Sequence, residues 1–494
     1  MPQLLLGDVP ELNAARLGPE RWAIRHDDAV LSWGELADRT LRRAHALAAA
    51  GVREGDFVVL ALPNGNAFYE LTFALWKLGA TPAVVSSRLP HTELLPIIDS
   101  IQARLVVAHD PALIAATGAQ PDDFGRDHPD TTPLPSRVAK HWKAMTSGGS
   151  TGRSKVIIDH HTSLFDVGVP SLRLPKEGVV LNPGPLYHNF PFALTHSALV
   201  HGNSIVGMTK FDAAKLLELI ERHRVEWVNL VPTMMSRIAR LSEEVRQAHD
   251  LSSLKAVWHT AAPIPSWLKQ LWIDWIGPER IWEMYGGSEG FCVTQLNGVE
   301  WLAHRGSVGR PVAGEIRIRG EDETLLPPGQ VGEIFMRGPG GTTPTYHYVG
   351  ADSRRLADGF ESLGDYGWVD ADGYLYIADR RTDLILCGGS NVYPAEVEAA
   401  LMEHPRVETA IVIGLPDDDL GAVPHAIIRG EQGVEPPTEA ELRAFVTKRL
   451  VRYKTPRSYE FTAAPLRDEA GKVRRSQLRA ERLEQLESGP GKGA

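Results

Sequence analysis

The chain has 494 residues, 43% hydrophobic and 23% charged, a globular profile too long for one ordinary core, so two or more units are expected. Its net charge of −10 argues against a nucleic-acid binder working through a general positive field, and no run reaches the 18 or so apolar residues of a membrane span. The two cysteines, Cys292 and Cys387, have no metal-type spacing and exclude a disulfide framework; with no signal-peptide pattern in "MPQLLLGDVPELNAARLG", a reduced, cytoplasmic setting fits.

"LSWGELADRTLRRAHALAAAGV" opens on Ser32 with Glu35 three residues later, the pattern of a capping box, and stops at Gly51. "DFVVLALP" reads as a buried strand, "NAFYELTFALWKLGA" as an amphipathic helix and "TPAVVSS" as a strand. "HTELLPIIDSI" follows as a helix and "ARLVVA" as another strand. Such alternation predicts a parallel sheet with helices on both faces. The polar, proline-rich stretch 120–136 is a surface connection, and the pattern resumes from "HTSLFDVG" to about Trp275. After Ile281 the texture is shorter and strand-rich ("GEIRIRG", "GEIFMRG", "GYLYIADR"). From Thr382 a further unit begins, with basic-rich helix patterns in "TEAELRAFVTKRLVRYK" and "RRSQLRAERLEQLE". The tail "SGPGKGA" is expected to be disordered. There is no internal repeat.

The stretch "MTSGGSTGRSKVI" (145–157) packs glycines, hydroxyls and two cations ahead of an apolar run. "GGSTG" matches the G-x-S-x-G nucleophile elbow, which needs a buried strand directly before it; "KHWKAMTS" reads as too polar for that strand. A Walker loop needs lysine after the glycine five residues beyond the first, and that spacing fails. The third reading is a phosphate cradle. Gly148, Gly149 and Gly152 let backbone N–H groups turn toward phosphate oxygens, Thr146, Ser147, Ser150 and Thr151 add hydroxyl donors, and Lys155 adds a point charge. Taken alone, the loop is equally consistent with a flexible surface turn.

The loop has company. "PLYHNFPF", "TAAPIP", "EMYGGSEG", "SLGDYGWVDADGYLYIADRRTDLILCGGSNVYPAEVE" and "PLRDEAGKVRRSQLR" follow it in order. With the loop, they resemble the ordered motifs of the adenylate-forming superfamily: acyl-CoA synthetases, adenylation domains of peptide synthetases and luciferases. The resemblance spans nearly the whole chain. Ser154 stands where that family usually has proline, and the last motif carries one extra residue between proline and glycine.

The resemblance implies an α/β fold: a large multi-subdomain N-terminal domain, 1–381, with parallel sheets flanked by helices, and a small mobile α+β C-terminal domain, 382–494. It implies that a carboxylic acid and ATP give acyl-adenylate and pyrophosphate, after which a second nucleophile displaces AMP. Lys472 would neutralise the carboxylate and the α-phosphate in the first step, with His188 beside it. Ser288 would join the loop in binding phosphate, and Glu289 would hold Mg²⁺, a hard cation suited to carboxylate. Adenine would lie between Tyr285 and the turn Ala261, Ala262, Pro263, against Glu283, Met284 and Gly286. Asp365 and Arg380 would take the ribose. Thr382 occupies the hinge position, and Gly388 and Gly389 would line the acceptor channel.

The acyl pocket is expected to be apolar and to include Phe192, Met234, His259 and Gly287. An aspartate-led amino-acid signature is not evident, so an amino-acid substrate is not expected. "PLYHN", "LVPTMM" and "HRGSVGRP" are most similar to the bacterial bile-acid–CoA ligases, and the same loops resemble stand-alone amide bond synthetases, so the acceptor is CoA or an amine. Neither nucleic acid nor membrane is expected as partner; the oligomeric state is open, and a homodimer is compatible with the sequence.

Overall fold

The computed structural model describes residues 3–146, 155–168, 172–380, 382–468 and 471–488. Ser147, Gly148, Gly149, Ser150, Thr151 and Gly152 lie outside the described residues, as do 489–494 of the tail.

Local signals near the N-terminus act as read. The Ser32 hydroxyl accepts from the Glu35 N–H and the Glu35 carboxylate accepts from the Ser32 N–H, starting the helix Trp33–Ala49. That helix packs on its neighbour Asn66–Lys77 through a buried face containing Leu36, Ala44 and Leu47. Behind them, Phe57–Ala61 pairs in parallel with Thr81–Val84 on one side and Leu105–Ala108 on the other. Ala144–Thr146 continues this sheet in parallel beside Thr81–Val84. Val156–Asp159 and then Tyr346–Val349 add antiparallel edge strands. The sheet is therefore mixed, not wholly parallel, and its edge strand comes from far along the chain.

This arrangement changes the argument against a nucleophile elbow. A strand does precede the glycine-rich loop, with Ala144 and Met145 buried, although "KHWKAMTS" reads as too polar. The elbow fails for another reason. It is a strand-to-helix turn, whereas here the loop joins two antiparallel strands, Thr146 opposite Val156.

The second, larger sheet has parallel strands Val179–Asn182, Ser204–Gly207, Trp227–Leu230, Ala256–His259 and Ile281–Gly286. It continues into antiparallel strands that include Val293–Asn297, Ser307–Ala313, Leu375–Arg380 and Glu361–Val369. Its parallel strands are buried on both faces, as a sheet covered on both sides requires. Trp227 and Trp258 face a core shared with Trp76 and Phe192, while Val228 and Val257 face a second core with Met235 and Trp272.

A third sheet is built on the hairpin Val407–Asp417 and Gly421–Gly430, joined by Ile385–Cys387, Ser390–Val392 and Ser458–Phe461. Helices Pro394–Met402 and Glu439–Thr447 close its core over Val397, Leu401, Val412 and Leu442. Both cysteines are buried free thiols. Among the described residues no helix is long and apolar enough to cross a membrane.

Candidate active site

An open cleft of about 1580 Å³ separates the two large sheets' loops from the C-terminal unit; Thr146, His188, Met234, Ala262, Pro263 and Lys472 are among its walls. Lys472 arrives from the far end of the chain on a tight turn. Asp468 N–H donates to the Lys472 carbonyl at 2.9 Å, and Lys472 N–H donates to the Asp468 carboxylate at 2.8 Å. Arg467 anchors the turn by donating to the Gly471 carbonyl at 3.0 Å, and pairs with Glu398 at 3.4 Å. The turn thus holds its shape without using the Lys472 side chain and leaves the ammonium to the cleft.

Burial holds the Lys472 ammonium below the usual lysine range; Arg380 adds to this, while Asp468 and Glu289 oppose it. His188 caps the helix Asn189–Val200 by position, and its Nε2 is buried without a hydrogen-bond partner. Burial, assisted by the Lys472 charge, pushes the imidazole down to about 3, so it is neutral. Lys472, Arg380, Glu289 and His188 therefore share one electrostatic neighbourhood, although they come from four separate segments.

Glu289 follows the strand Ile281–Gly286. Its carboxylate accepts from the Tyr348 hydroxyl at 2.5 Å, and its carbonyl accepts from Thr345 at 2.9 Å. The Lys155 ammonium sits 3.5 Å above the Tyr348 ring centre. Burial lowers the Lys155 pKa, with Glu289 opposing. Tyr348 thus joins the first residue beyond the glycine-rich loop to the carboxylate. No spacing in the sequence signals it, because the register of Tyr346–Val349 against Val156–Asp159 places it there. A side chain at Gly287 would collide with the Glu289 carboxylate and Leu363, so a bare backbone leaves room beside a carboxylate oxygen. That is a fitting donor for a hard divalent cation. Ser288 is partly exposed beside it.

Tyr285 donates to the Asp365 carboxylate at 2.6 Å, and Arg380 pairs with the other Asp365 oxygen at 3.3 Å. Asp365 and Arg380 face each other across paired strands. Burial raises the Asp365 pKa against the pull of Arg380. Ala261 adopts φ +77°, a left-handed conformation unusual for alanine, which turns the chain so that Ala262 and Pro263 face the cleft. Gly286 ends its strand, exposed.

Three expectations need correction. Glu283 does not face an adenine site: it is buried on the other face of its strand in an ion pair with Lys269. His259 lies in the same buried pocket, 3.7 Å from Glu283, fully buried and away from the cleft wall. Phe192 is packed among Phe68, Trp76, Trp142 and His196 in the main core rather than against the cleft. Gly388 and Gly389 form the tip of a hairpin outside the cleft; both have positive φ, +55° and +78°, with Cys387 opposite Ser390, a two-residue turn that favours glycine. Met284 packs against the main core on the opposite face of its strand from Glu283, and Met234 lines the cleft.

A charged seam lies where the C-terminal unit begins. Asp379 accepts from the Ala395 N–H at 2.8 Å, and burial pushes its carboxyl up to about 6 against the pull of Arg475. Arg475 pairs with Asp383 at 2.9 Å and Glu398 at 2.6 Å. Thr382 is exposed beside this seam.

Comparison with known proteins gives the family of the chain. The AMP-binding enzyme family matches residues 12–347, and the AMP-binding enzyme C-terminal domain matches 396–472. Feruloyl-CoA synthase from Amycolatopsis sp is 32% identical, covering 96% of this chain and 98% of that protein. The structure of o-succinylbenzoate coenzyme A synthetase from Bacillus subtilis, in complex with ATP and magnesium ion, is 25% identical with a TM-score of 0.81, covering 97% of this chain and 100% of that one. The amide bond synthetase McbA from Marinactinospora thermotolerans is 26% identical with a TM-score of 0.79, covering 96% and 99%. With a family match over most of its length and the α/β adenylate-forming fold, a large N-terminal domain followed by a small C-terminal one, the chain belongs to the AMP-binding enzymes and is an ATP-dependent, AMP-forming carboxylate ligase.

Proposed function

We propose that the protein activates an apolar carboxylic acid, aryl, alicyclic or steroid-like, and transfers the acyl group to CoA. The observation that carries this reading is that Lys472, which lines the cleft, lies within the electrostatic reach of both Arg380 and Glu289. In the first step a carboxylate oxygen attacks the α-phosphorus of ATP and pyrophosphate leaves. Lys472 neutralises the two anions brought into contact. Lys155 and the glycine-rich loop hold the phosphates, and Ser288 donates to them. Tyr285 and the Ala261–Pro263 turn enclose adenine, Asp365 accepts from the ribose hydroxyls, and Glu289 would hold Mg²⁺, which supplies charge neutralisation at the phosphates. In the second step the CoA sulfur attacks the acyl carbonyl, its proton is lost, and AMP leaves.

The division at 381 and 382 makes Thr382 the pivot about which the small domain turns between steps, bringing the Gly388–Gly389 hairpin toward the cleft for the second. Arg88, Lys210 and Arg237 line the cleft and are suited to the phosphates of CoA. Feruloyl-CoA synthase as a relative at 32% identity supports an aryl acid and CoA. Transfer of the acyl group to an amine is the second reading, supported by the likeness to an amide bond synthetase.

The test is pyrophosphate release across a panel of aryl, alicyclic and fatty acids, repeated on the best acid with CoA and with simple amines. Thioester formation with CoA is expected. Amide formation without thioester would overturn the acceptor, and absence of pyrophosphate with every acid would overturn the activity.

A further inference from the structure

On the outer edge of the seven-stranded sheet, away from the cleft, three histidine rings gather from three segments. His141 precedes the strand Ala144–Thr146, His160 follows Val156–Asp159, and His347 lies in the edge strand Tyr346–Val349. The His160 N–H donates to the Thr345 carbonyl at 2.8 Å, which fixes the two edge segments against each other. The ring centres are 5.1 Å apart for His160 and His347, 5.9 Å for His141 and His160, and 6.1 Å for His141 and His347. Imidazoles that share one tetrahedral ion at about 2.0–2.1 Å per nitrogen have ring centres about 5 Å apart. His141 stands wider than that from the other two rings, so an ion has to draw in the exposed side chains of His160 and His347.

The hydrogen bonds settle which nitrogens are available. His141 Nδ1 is 2.7 Å from the Asp159 carbonyl and His160 Nδ1 is 3.0 Å from the Pro344 carbonyl. A carbonyl only accepts, so both nitrogens carry their protons and both Nε2 atoms present a lone pair. Backbone carbonyls fix metal-binding histidines in this way. His160 Nε2 lies 2.8 Å from His347 Nδ1, which must then be the donor. An ion between them would displace that single proton to the other nitrogen of His347, with no net release from the neutral rings. The nearby Asp159 carboxylate is committed to Lys143 at 2.9 Å and to His161 at 2.7 Å, so the available donors are nitrogen only. Lys140 is the adjacent cation; burial chiefly keeps His141 and His347 below the usual histidine range, helped at His347 by the neighbouring rings and then Lys140, and opposed at His141 by the Asp159 carbonyl.

We propose that His141, His160 and His347 form a binding site for a divalent transition-metal ion of the zinc, cobalt or nickel class, separate from the Mg²⁺ expected at Glu289. Three imidazoles with no carboxylate suit such ions and not Mg²⁺ or Ca²⁺. The ion would tie the strand that carries Tyr348 to the strand that follows Lys155, linking its occupancy to the rigidity of the nucleotide end of the cleft.

The experiment uses the full, untagged chain, stripped with chelator and free of ATP and Mg²⁺. Co²⁺ is titrated while its visible absorption is followed, Zn²⁺ then competes, and the unfolding temperature is read with and without Zn²⁺. One equivalent of tetrahedral nitrogen-ligated Co²⁺, displaced by Zn²⁺, is expected, with a raised unfolding temperature. His160→Ala and His347→Ala should each weaken binding by about 100-fold or more. His141→Asn, which keeps a donor for the Asp159 carbonyl, should do the same, and His161→Ala should change nothing. No binding, binding unchanged in the His160 or His347 variants, full retention in His141→Asn, or a sulfur-ligated cobalt spectrum would overturn the proposal.

Discussion

Replacing Lys472 by alanine removes the ammonium and leaves its turn standing. The contacts that shape the turn use the Lys472 N–H and carbonyl, the Asp468 carboxylate and the Gly471 carbonyl, none of which the substitution touches. Folding should therefore be nearly unchanged. The loss falls on the step in which two anions meet. The ammonium lines the cleft within reach of Arg380 and Glu289, and a preorganised donor of this kind contributes about 3–4 kcal/mol to the transition state. That corresponds to a fall of about 10²–10³-fold in adenylation. The assay separates the half-reactions: acid-dependent exchange of labelled pyrophosphate into ATP reads the first, and conversion of preformed acyl-adenylate with CoA reads the second. The first should collapse and the second should stay within a few-fold of the parent. Equal loss of both, or an unfolding midpoint shifted by as much as a core truncation would shift it, would refute the assignment.

Tyr348→Phe keeps the ring under Lys155 but removes the donor to Glu289; the Mg²⁺ concentration for half-maximal activity should rise about 10-fold with unfolding unchanged, read by Mg²⁺ titration of pyrophosphate release. Because the native His188 is held down to about 3, it is neutral while the unfolded chain protonates near 6.5. His188 therefore costs no stability above about pH 6.5 and progressively more as pH falls toward 3. Urea unfolding of His188→Asn should show a flatter acid dependence over that window. Phe192→Ala should lower stability by about 3–5 kcal/mol in denaturant melts while leaving the preference among acids unaltered; Met234→Ala, at the cleft wall, should alter that preference.

Much of the candidate site was legible because its residues stand in short, local patterns. The capping box at Ser32 and Glu35 and the residues Glu289, Asp365, Arg380 and Lys472 were all visible as residue types in a given order. Faces were less legible. His259 and Trp258 are neighbours on one strand, so alternation sends one toward Lys269 and the other into the main core; a one-residue difference of register exchanges them. The helix Asn189–Val200 is buried over most of its surface and has no polar stripe to tell which side Phe192 would take. "KHWKAMTS" failed to announce its strand because Lys143 is buried against Asp159, a partner sixteen residues later.

What the amino-acid order determined by itself was the inventory of charges and hydroxyls and the elements that carry them, since caps, turns and period-two or period-3.6 patterning depend on residues a few positions apart. The tertiary structure alone decided that Lys472 comes within the electrostatic reach of Glu289 and Arg380, that Tyr348 braces Glu289, and that three histidines meet at a sheet edge. Those meetings depend on strand register and domain docking across hundreds of residues, where the free energy is that of burying surfaces against each other and no local pattern records the partner.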